Sequence, residues 1–322
     1  MIFLELRSKK IKTSLFWFNF IKLVNTIKVE KRKEGVYLKL GVALSGGGIR
    51  GIAHAGALKA MEDHKVPIDV IGGTSSGSLV ASLYAMGYSP YYIYVLFKRY
   101  AKDIVEMSSL PVISGISNFM INKKIGIAGL KTGESLEKAY NHVAIKKGIQ
   151  KISDITKMPL VIPTVDVKLS KEYIFTNQIP EGIEDKSQYI TDISIGKAVR
   201  ASSSFPAIFC PCEFKQHKFL DGGILDNIPV LEVKKQGADR VIAINFKADD
   251  VDENSNIMDI TMRTIDIMGN KISEESIEQS DFLLTIATDK TGLLDIEKLD
   301  KCYHFGYQAV IQNLDKIQKI LP

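Results

Sequence analysis

The segment Ile68-Asp69-Val70-Ile71-Gly72-Gly73-Thr74-Ser75-Ser76-Gly77-Ser78-Leu79-Val80-Ala81 passes from a short apolar run, through glycines and small polar residues, into a second apolar run. Ile68–Ile71 reads as a short buried strand and Ser78–Met86 as a helix. Between them, Gly73–Gly77 has the form G-x-S-x-G. Alone, that pentapeptide recurs by chance. Behind a strand and ahead of a helix it has the context of a nucleophile elbow. Glycines at positions 73 and 77 relieve the steric cost of a tight turn and let Ser75 project from it. The helix that starts behind the serine directs free N–H groups and its positive dipole end at developing negative charge.

The preceding residues repeat the pattern. Val36–Leu44 reads as a strand, Ser45–Gly48 as a turn and Arg50–His64 as a helix with small residues at Ala53, Ala55, Gly56 and Ala57. Strand and helix alternating in this way imply parallel βαβ units and an α/β fold. Further strands are expected at 160–167, 172–176, 241–246 and 282–288. Further helices are expected near 133–143, 195–202, 230–236, 258–279 and 305–320. Residues 89–127, rich in Tyr, Met and Ile, suit either a substrate-facing lid or a helical layer.

Gly46-Gly47-Gly48-Ile49-Arg50-Gly51 lies at the first strand-to-helix junction. It satisfies the dinucleotide fingerprint G-x-G-x-x-G, which wants an acid about 20 residues on at the end of the second strand. Asp69 is at that distance but opens the strand, and the strand's end is occupied by the serine elbow. The other reading is an oxyanion hole, because consecutive glycines present unobstructed backbone N–H groups. Loops that follow adjacent parallel strands meet at one edge of the sheet, which favours this second reading. A third motif, Asp221-Gly222-Gly223, follows the apolar pair Phe219-Leu220. Asp and Gly are common turn formers, yet a serine nucleophile needs a base, and few candidates exist.

Composition narrows the class. The chain has 322 residues, 45% hydrophobic and 25% charged, which is globular. The net charge of +5 is local: residues 1–34 hold nine basic residues and three acidic ones, leaving 33 of the 42 basic and 34 of the 37 acidic residues for the remainder. No basic bias toward nucleic acid is left in the body. Three cysteines, Cys210, Cys212 and Cys302, cannot form a disulfide framework, and Cys210-Pro-Cys212 lacks metal or redox spacing. A reducing, cytoplasmic setting is expected. No cofactor and no metal are implied, and nothing fixes the oligomeric state.

Residues 1–34 form a basic, aromatic N-terminal segment and residues 35–322 the main domain. Within the segment, 11–25 (IKTSLFWFNFIKLVN) is too short to span a bilayer, which takes about 20 apolar residues. Wound as a helix, it places Phe16, Trp17, Phe20, Leu23 and Val24 opposite Lys12, Asn19 and Lys22, with Leu15 and Phe18 on the polar side. One reading is a helix in a membrane interface, making the protein membrane-associated. The other is a helix packed on the domain or on a second subunit.

Taken together, Gly46–Gly51, the elbow Gly73–Gly77 and Asp221–Gly223, in that order and at these intervals, resemble the patatin-like phospholipase family. Ala201-Ser202 with Pro206, and Asn227 and Pro229 after Asp221, extend the likeness from about residue 38 to about 315. The resemblance implies a three-layer αβα fold with a mainly parallel sheet and a Ser75–Asp221 dyad without histidine. It implies an oxyanion hole at Gly46, Gly47 and Gly48, supported by Arg50, Gly51, Gly73, Gly77, Gly222 and Gly223. It also implies a phospholipid or other acyl-lipid substrate and an acyl-enzyme on Ser75, with Asp221 as base. Arg50 would orient the glycine loop.

Two alternatives stand beside this reading. An α/β-hydrolase triad runs in the order Ser, Asp/Glu, His, which Ser75, Asp221 and His304 obey, although His304 would then sit just ahead of the C-terminal helix. A lipid-binding protein that kept the fold and lost turnover is the other, since fold does not guarantee function.

Overall fold

A computed structural model of the chain describes residues 38–106, 132–206, 208–247, 257–289, 291 and 295–321, all within the unit Leu38–Pro322. Residues 11–25, and the part of 89–127 beyond Glu106, lie outside the described residues.

The two βαβ units expected from the sequence are present. β1 (Leu40–Leu44) leads through a 3-10 turn (Gly48–Gly51) into α1 (Ile52–Asp63), β2 (Val70–Gly73), α2 (Ser76–Ala85) and α3 (Pro90–Glu106). Then follow α4 (Glu134–Ile145), β3 (Leu160–Asp166), β4 (Lys171–Thr176), β5 (Tyr189–Ile190) and α5 (Ile195–Ser202). β6 (Cys212–Phe214) and β7 (His217–Asp221) form a hairpin that ends in a 3-10 turn, Gly222–Ile224. The chain closes with α6 (Val230–Lys235), β8 (Arg240–Phe246), α7 (Ile257–Ile272), α8 (Glu274–Glu278), β9 (Phe282–Ile286), α9 (Leu299–Gln312) and α10 (Leu314–Ile320).

The sheet has the order β5-β4-β3-β2-β1-β8-β9, and its five strands from β3 to β9 run parallel. β1 and β2 are buried at every position, as strands covered on both faces must be. From β1 the chain first builds outward through β2 and β3, then later returns on β1's other side with β8 and β9. The carboxyl end of β1 is therefore a topological switch point, where open α/β sheets form their ligand crevice. Leu44 pairs with Gly73 on one side and with Ile244 on the other, so β1 and β2 end level while β8 runs two residues further, to Phe246.

β7 sits where sequence patterning gives no hint. β4 occupies one edge of β3 along residues 161–166, while β2 pairs with residues 160 and 161 and β7 with residues 164–166. Since a strand has only two edges, β7 continues in line beyond β2, running antiparallel and ending at Asp221 opposite Thr164. The aspartate thus meets the end of β2 head-on.

The small residues of α1 have a packing reason. A Cβ at Gly56 would stand 1.9 Å from the Tyr303 carbonyl oxygen, and one at Gly306 would stand 1.8 Å from that of Ala53. Glycine at both positions lets α1 and α9 cross nearly backbone to backbone. Here the helix expected at 305–320 is corrected: α9 starts at Leu299, because its buried face already begins with Leu299 and Cys302.

Candidate active site

Ser75 is the residue between β2 and α2, and its backbone is strained at φ 53°, ψ −121°. A positive φ at a non-glycine residue costs roughly 1–3 kcal/mol and persists only where the surroundings impose it. Those surroundings are specific. Thr74 N–H donates to Leu44 O at 3.1 Å, and Thr74 Oγ1 donates to Asp226 O at 2.9 Å. Ser75 N–H donates to Ser202 Oγ at 3.1 Å, while Ser78 Oγ donates back to Ser75 O at 2.6 Å. A Cβ on Gly73 would meet Gly77 C and O at 2.4 Å, and one on Gly77 would meet Leu44 O at 2.5 Å. Both elbow glycines are thus required by contact. Ser75 itself is half-buried, at the start of α2.

Asp221 is buried, with 3% of its surface exposed. Its Oδ1 accepts from Gly223 N at 2.9 Å, and its Oδ2 has no hydrogen-bond partner among the described residues. Burial pushes this carboxyl from 3.8 up to about 6, with the neighbouring Ser75 hydroxyl and the Gly223 N–H pulling the other way. No histidine takes part in holding it. Gly222 is fixed between two walls, since a Cβ there would lie 2.4 Å from Pro163 O and 3.0 Å from Thr74 Cγ2. The aspartate's turn is therefore pressed onto the elbow.

The glycine loop forms the third side. Gly46, Gly47 and Gly48 are half-buried, and Gly48 has φ 58°. Gly46 faces Ser75: a Cβ on it would stand 3.2 Å from Ser75 Cβ. Its N–H, however, already donates to Asn227 Oδ1 at 3.1 Å and to Asn227 O at 3.2 Å. Among the described residues, only the Gly47 and Gly48 N–H groups of this loop lack an acceptor. Arg50, buried, donates from Nε to Gly47 O at 3.3 Å, pairs with Asp266 of α7 at 3.0 Å, and lies 5.6 Å from the centre of the Phe246 ring. Phe246, closing β8, also backs Gly47, where a Cβ would meet the ring at 2.5 Å. Gly51 lies against Ser76 Oγ, 2.4 Å from where its Cβ would stand.

His304 is exposed in the interior of α9, its ring 5.8 Å from that of Tyr303. It does not precede the helix as expected, and α9 packs on α1, away from β7. Sequence reasoning missed Ser202 as an acceptor for the elbow, Asp266 and Phe246 as supports of Arg50 and Gly47, and the contact of Asn227 with Gly46. The last spans 181 residues and has no local signal.

A serine on a strained strand–helix turn, a buried carboxylate and a loop with unpaired amides, gathered at a sheet switch point, define a nucleophile-elbow α/β protein. The chain matches the family described as Patatin-like phospholipase over residues 42–234. It is 29% identical over 302 residues to lysophospholipase NTE1 of Scheffersomyces stipitis, covering 83% of this chain and 17% of that protein. It is 32% identical over 245 residues to lysophospholipase NTE1 of Meyerozyma guilliermondii, covering 70% and 15%. Against the crystal structure of VipD from Legionella pneumophila the identity is 16% and the TM-score 0.48, with 87% of this chain and 67% of that one covered. The chain belongs to the patatin-like phospholipase family. It spans less than a fifth of the length of the curated relatives it matches.

Proposed function

We propose that residues 35–322 form a lipid acyl hydrolase that cleaves carboxylic esters of phospholipids or lysophospholipids through Ser75 and Asp221. The observation that carries this reading is the buried Asp221 carboxyl, with Oδ2 unpaired and the Ser75 hydroxyl beside it. The relatives named lysophospholipases support the substrate class.

Ser75 Oγ attacks the ester carbonyl carbon while its proton passes to Asp221 Oδ2. The Gly47 and Gly48 amides and the start of α2 stabilise the oxyanion. Collapse expels the alcohol, which takes the proton from Asp221 and leaves the acyl group on Ser75. Water then attacks the acyl-enzyme and gives a proton to Asp221. When the fatty acid leaves, that proton returns to Ser75. A carboxyl raised to about 6 is a better base than an ordinary aspartate and still ionised at neutral pH.

A fluorophosphonate probe tests this reading. Ser75 should be labelled, and Ser75→Ala should abolish both labelling and release of fatty acid from lysophosphatidylcholine. Undiminished hydrolysis by Ser75→Ala overturns the proposal. For residues 11–25 we carry forward the membrane-contact reading, on the strength of the aromatic and lysine pattern. Liposome co-sedimentation unaffected by deletion of residues 1–34 would dispose of it. Among the described residues, no helix is long and apolar enough to cross a membrane.

A further inference from the structure

We infer that Asn227 and His54 are positioning residues that clamp one peptide group, Ser45–Gly46, from opposite sides and thereby aim the oxyanion loop. The inference rests on the Ser75–Asp221 reading and adds to it the control of the glycine loop. In a trans peptide the C=O and N–H point in opposite directions, so a partner on each side fixes the plane of the group. His54, in α1 and fully buried, has Nε2 2.9 Å from Ser45 O. A carbonyl oxygen can only accept, which places a proton on Nε2. Burial lowers His54 to about 4, so the ring is neutral at working pH. On the other side of the same peptide, Gly46 N–H donates to Asn227 Oδ1 at 3.1 Å and to Asn227 O at 3.2 Å.

The clamp has a consequence for the next residues. Arg50 holds Gly47 O, so in the Gly47–Gly48 peptide the N–H must point away from Arg50. With the preceding and following peptides both fixed, the amides of Gly47 and Gly48 have their directions imposed by His54, Asn227 and Arg50. Asn227 also links this loop to the base. The turn after Asp221 brings Asn227 back, so that a Cβ on Gly223 would lie 3.1 Å from both Asn227 Oδ1 and Asp221 Oδ1. A Cβ on Gly46 would lie 2.6 Å from Asn227 Oδ1 and 3.2 Å from Ser75 Cβ. The carboxamide therefore stands where oxyanion loop, nucleophile and base meet. The adjacent Asp226 carbonyl, which accepts from Thr74, ties the same turn to the elbow.

His54→Leu removes one jaw and Asn227→Ala removes the carboxamide half of the other, leaving only the residue 227 carbonyl on Gly46 N–H, whereas Asn227→Ser and His54→Gln retain a side-chain hydrogen-bonding group on each side. The readouts are kcat and KM with lysophosphatidylcholine, normalised to sites titrated by fluorophosphonate, and Ki for a long-chain alkyl trifluoromethyl ketone. That ketone forms a tetrahedral oxyanion with a serine and so reports transition-state binding. The expected result for Asn227→Ala is a fall in kcat of about 100-fold, the scale of an ångström-level misplacement. KM should change little, and Ki should rise by the same factor as kcat/KM falls. His54→Leu should follow the same line, with partial recovery in Asn227→Ser and His54→Gln. A purely structural role lowers the melting temperature and the titrated fraction but leaves Ki and per-site kcat unchanged. That result, in Asn227→Ala or in His54→Leu, overturns the clamp. If the wild-type protein labels at Ser75 and only the variants fail to behave as stated, the clamp falls and the dyad stands. A wild-type protein that does not label removes both.

Discussion

Asp221 and Asp166 occupy the same antiparallel ladder, Asp221 opposite Thr164 on β3 and Asp166 opposite Phe219 on β7, yet they are held in opposite electrostatic states. Both are nearly inaccessible, at 3% and 1% exposure. Asp166 is fully partnered. His217 Nδ1 lies 2.5 Å from its Oδ2, and the Lys168 and Leu169 N–H groups donate to its Oδ1 at 2.8 and 3.2 Å. Burial acts to raise its pKa, but His217 and the two N–H groups outweigh this and hold it below the ordinary value. Asp221 has only the neighbouring Ser75 hydroxyl and one backbone donor to set against burial, and its Oδ2 makes no hydrogen bond, so burial prevails and raises it to about 6. The chain does contain an aspartate–histidine pair, but it lies at the far end of β7 from the serine. Histidine next to a buried aspartate gives a well-satisfied structural pair; a carboxylate left short of partners keeps the capacity to take a proton.

The largest effect that tests this contrast belongs to Asp221→Asn, which is nearly isosteric and removes the proposed base. Ester hydrolysis should fall by about 10⁴-fold, the order seen when a general base and its orientation are both lost. In wild-type protein, kcat/KM should rise with pH through a single ionisation near 6, since the proposed mechanism needs Asp221 ionised in the free protein. A profile flat between pH 5 and 8 would contradict the assignment of Asp221 as the titrating base.

Stability should move in the opposite direction. A carboxyl raised from 3.8 to about 6 by folding binds its proton more tightly in the native state, so it weakens the fold as pH rises through that window. The shift corresponds to about 3 kcal/mol above pH 6. Asp221→Asn should therefore be the more stable protein at pH 8, by up to about 3 kcal/mol, and the gain should vanish below pH 4. Asp166→Asn should behave inversely. Its carboxyl is depressed on folding, so it stabilises the native state above the ordinary value of 3.8 and loses that contribution as pH falls through the folded value. Loss of hydrogen bonds to a charged acceptor costs about 1–3 kcal/mol, with hydrolysis unchanged. Urea titrations of both variants from pH 3.5 to 8 should give difference curves of opposite sign. Curves of the same sign would mean that burial and partnering do not divide the two aspartates as described.

These results also indicate where sequence reading succeeds. The elbow was legible because its chemistry is local: an apolar strand, two glycines that must avoid Gly77 and Leu44, and a helix are consecutive in the chain. β1 and β2, buried on both faces, announce themselves as apolar runs. β7 does not, because His217-Lys218-Phe219-Leu220-Asp221 is short, mixed and half-exposed, and its place in line with β2 depends on β3. The aspartate could thus be named from its motif and placed only by the fold. The engagement of the Gly46 N–H was illegible for a similar reason, since its acceptor is remote in sequence. Oxyanion donors cannot be counted from glycines alone, because a backbone amide contributes only if nothing else in the fold has claimed it.

The smallest expected effect concerns His304, the histidine that chain order offered as a third catalytic member. If Asp221 works as an unassisted carboxylate base, no imidazole should matter to turnover, neither His217 beside Asp166 nor His304. His304 is exposed on α9, two helical positions from Cys302 on that helix's buried face, and its ring neighbour is Tyr303. A general base contributes about 10²–10⁴-fold to rate, and an exposed surface substitution alters stability by at most about 0.5 kcal/mol. His304→Ala should accordingly retain wild-type kcat/KM and melting temperature. A loss of 100-fold would require His304 to reach Ser75 or Asp221, which in turn would require α9 to leave the Gly56–Gly306 crossing where the two backbones are already in contact. Such a loss would return the site to a three-residue chemistry and make the raised pKa of Asp221 incidental to it.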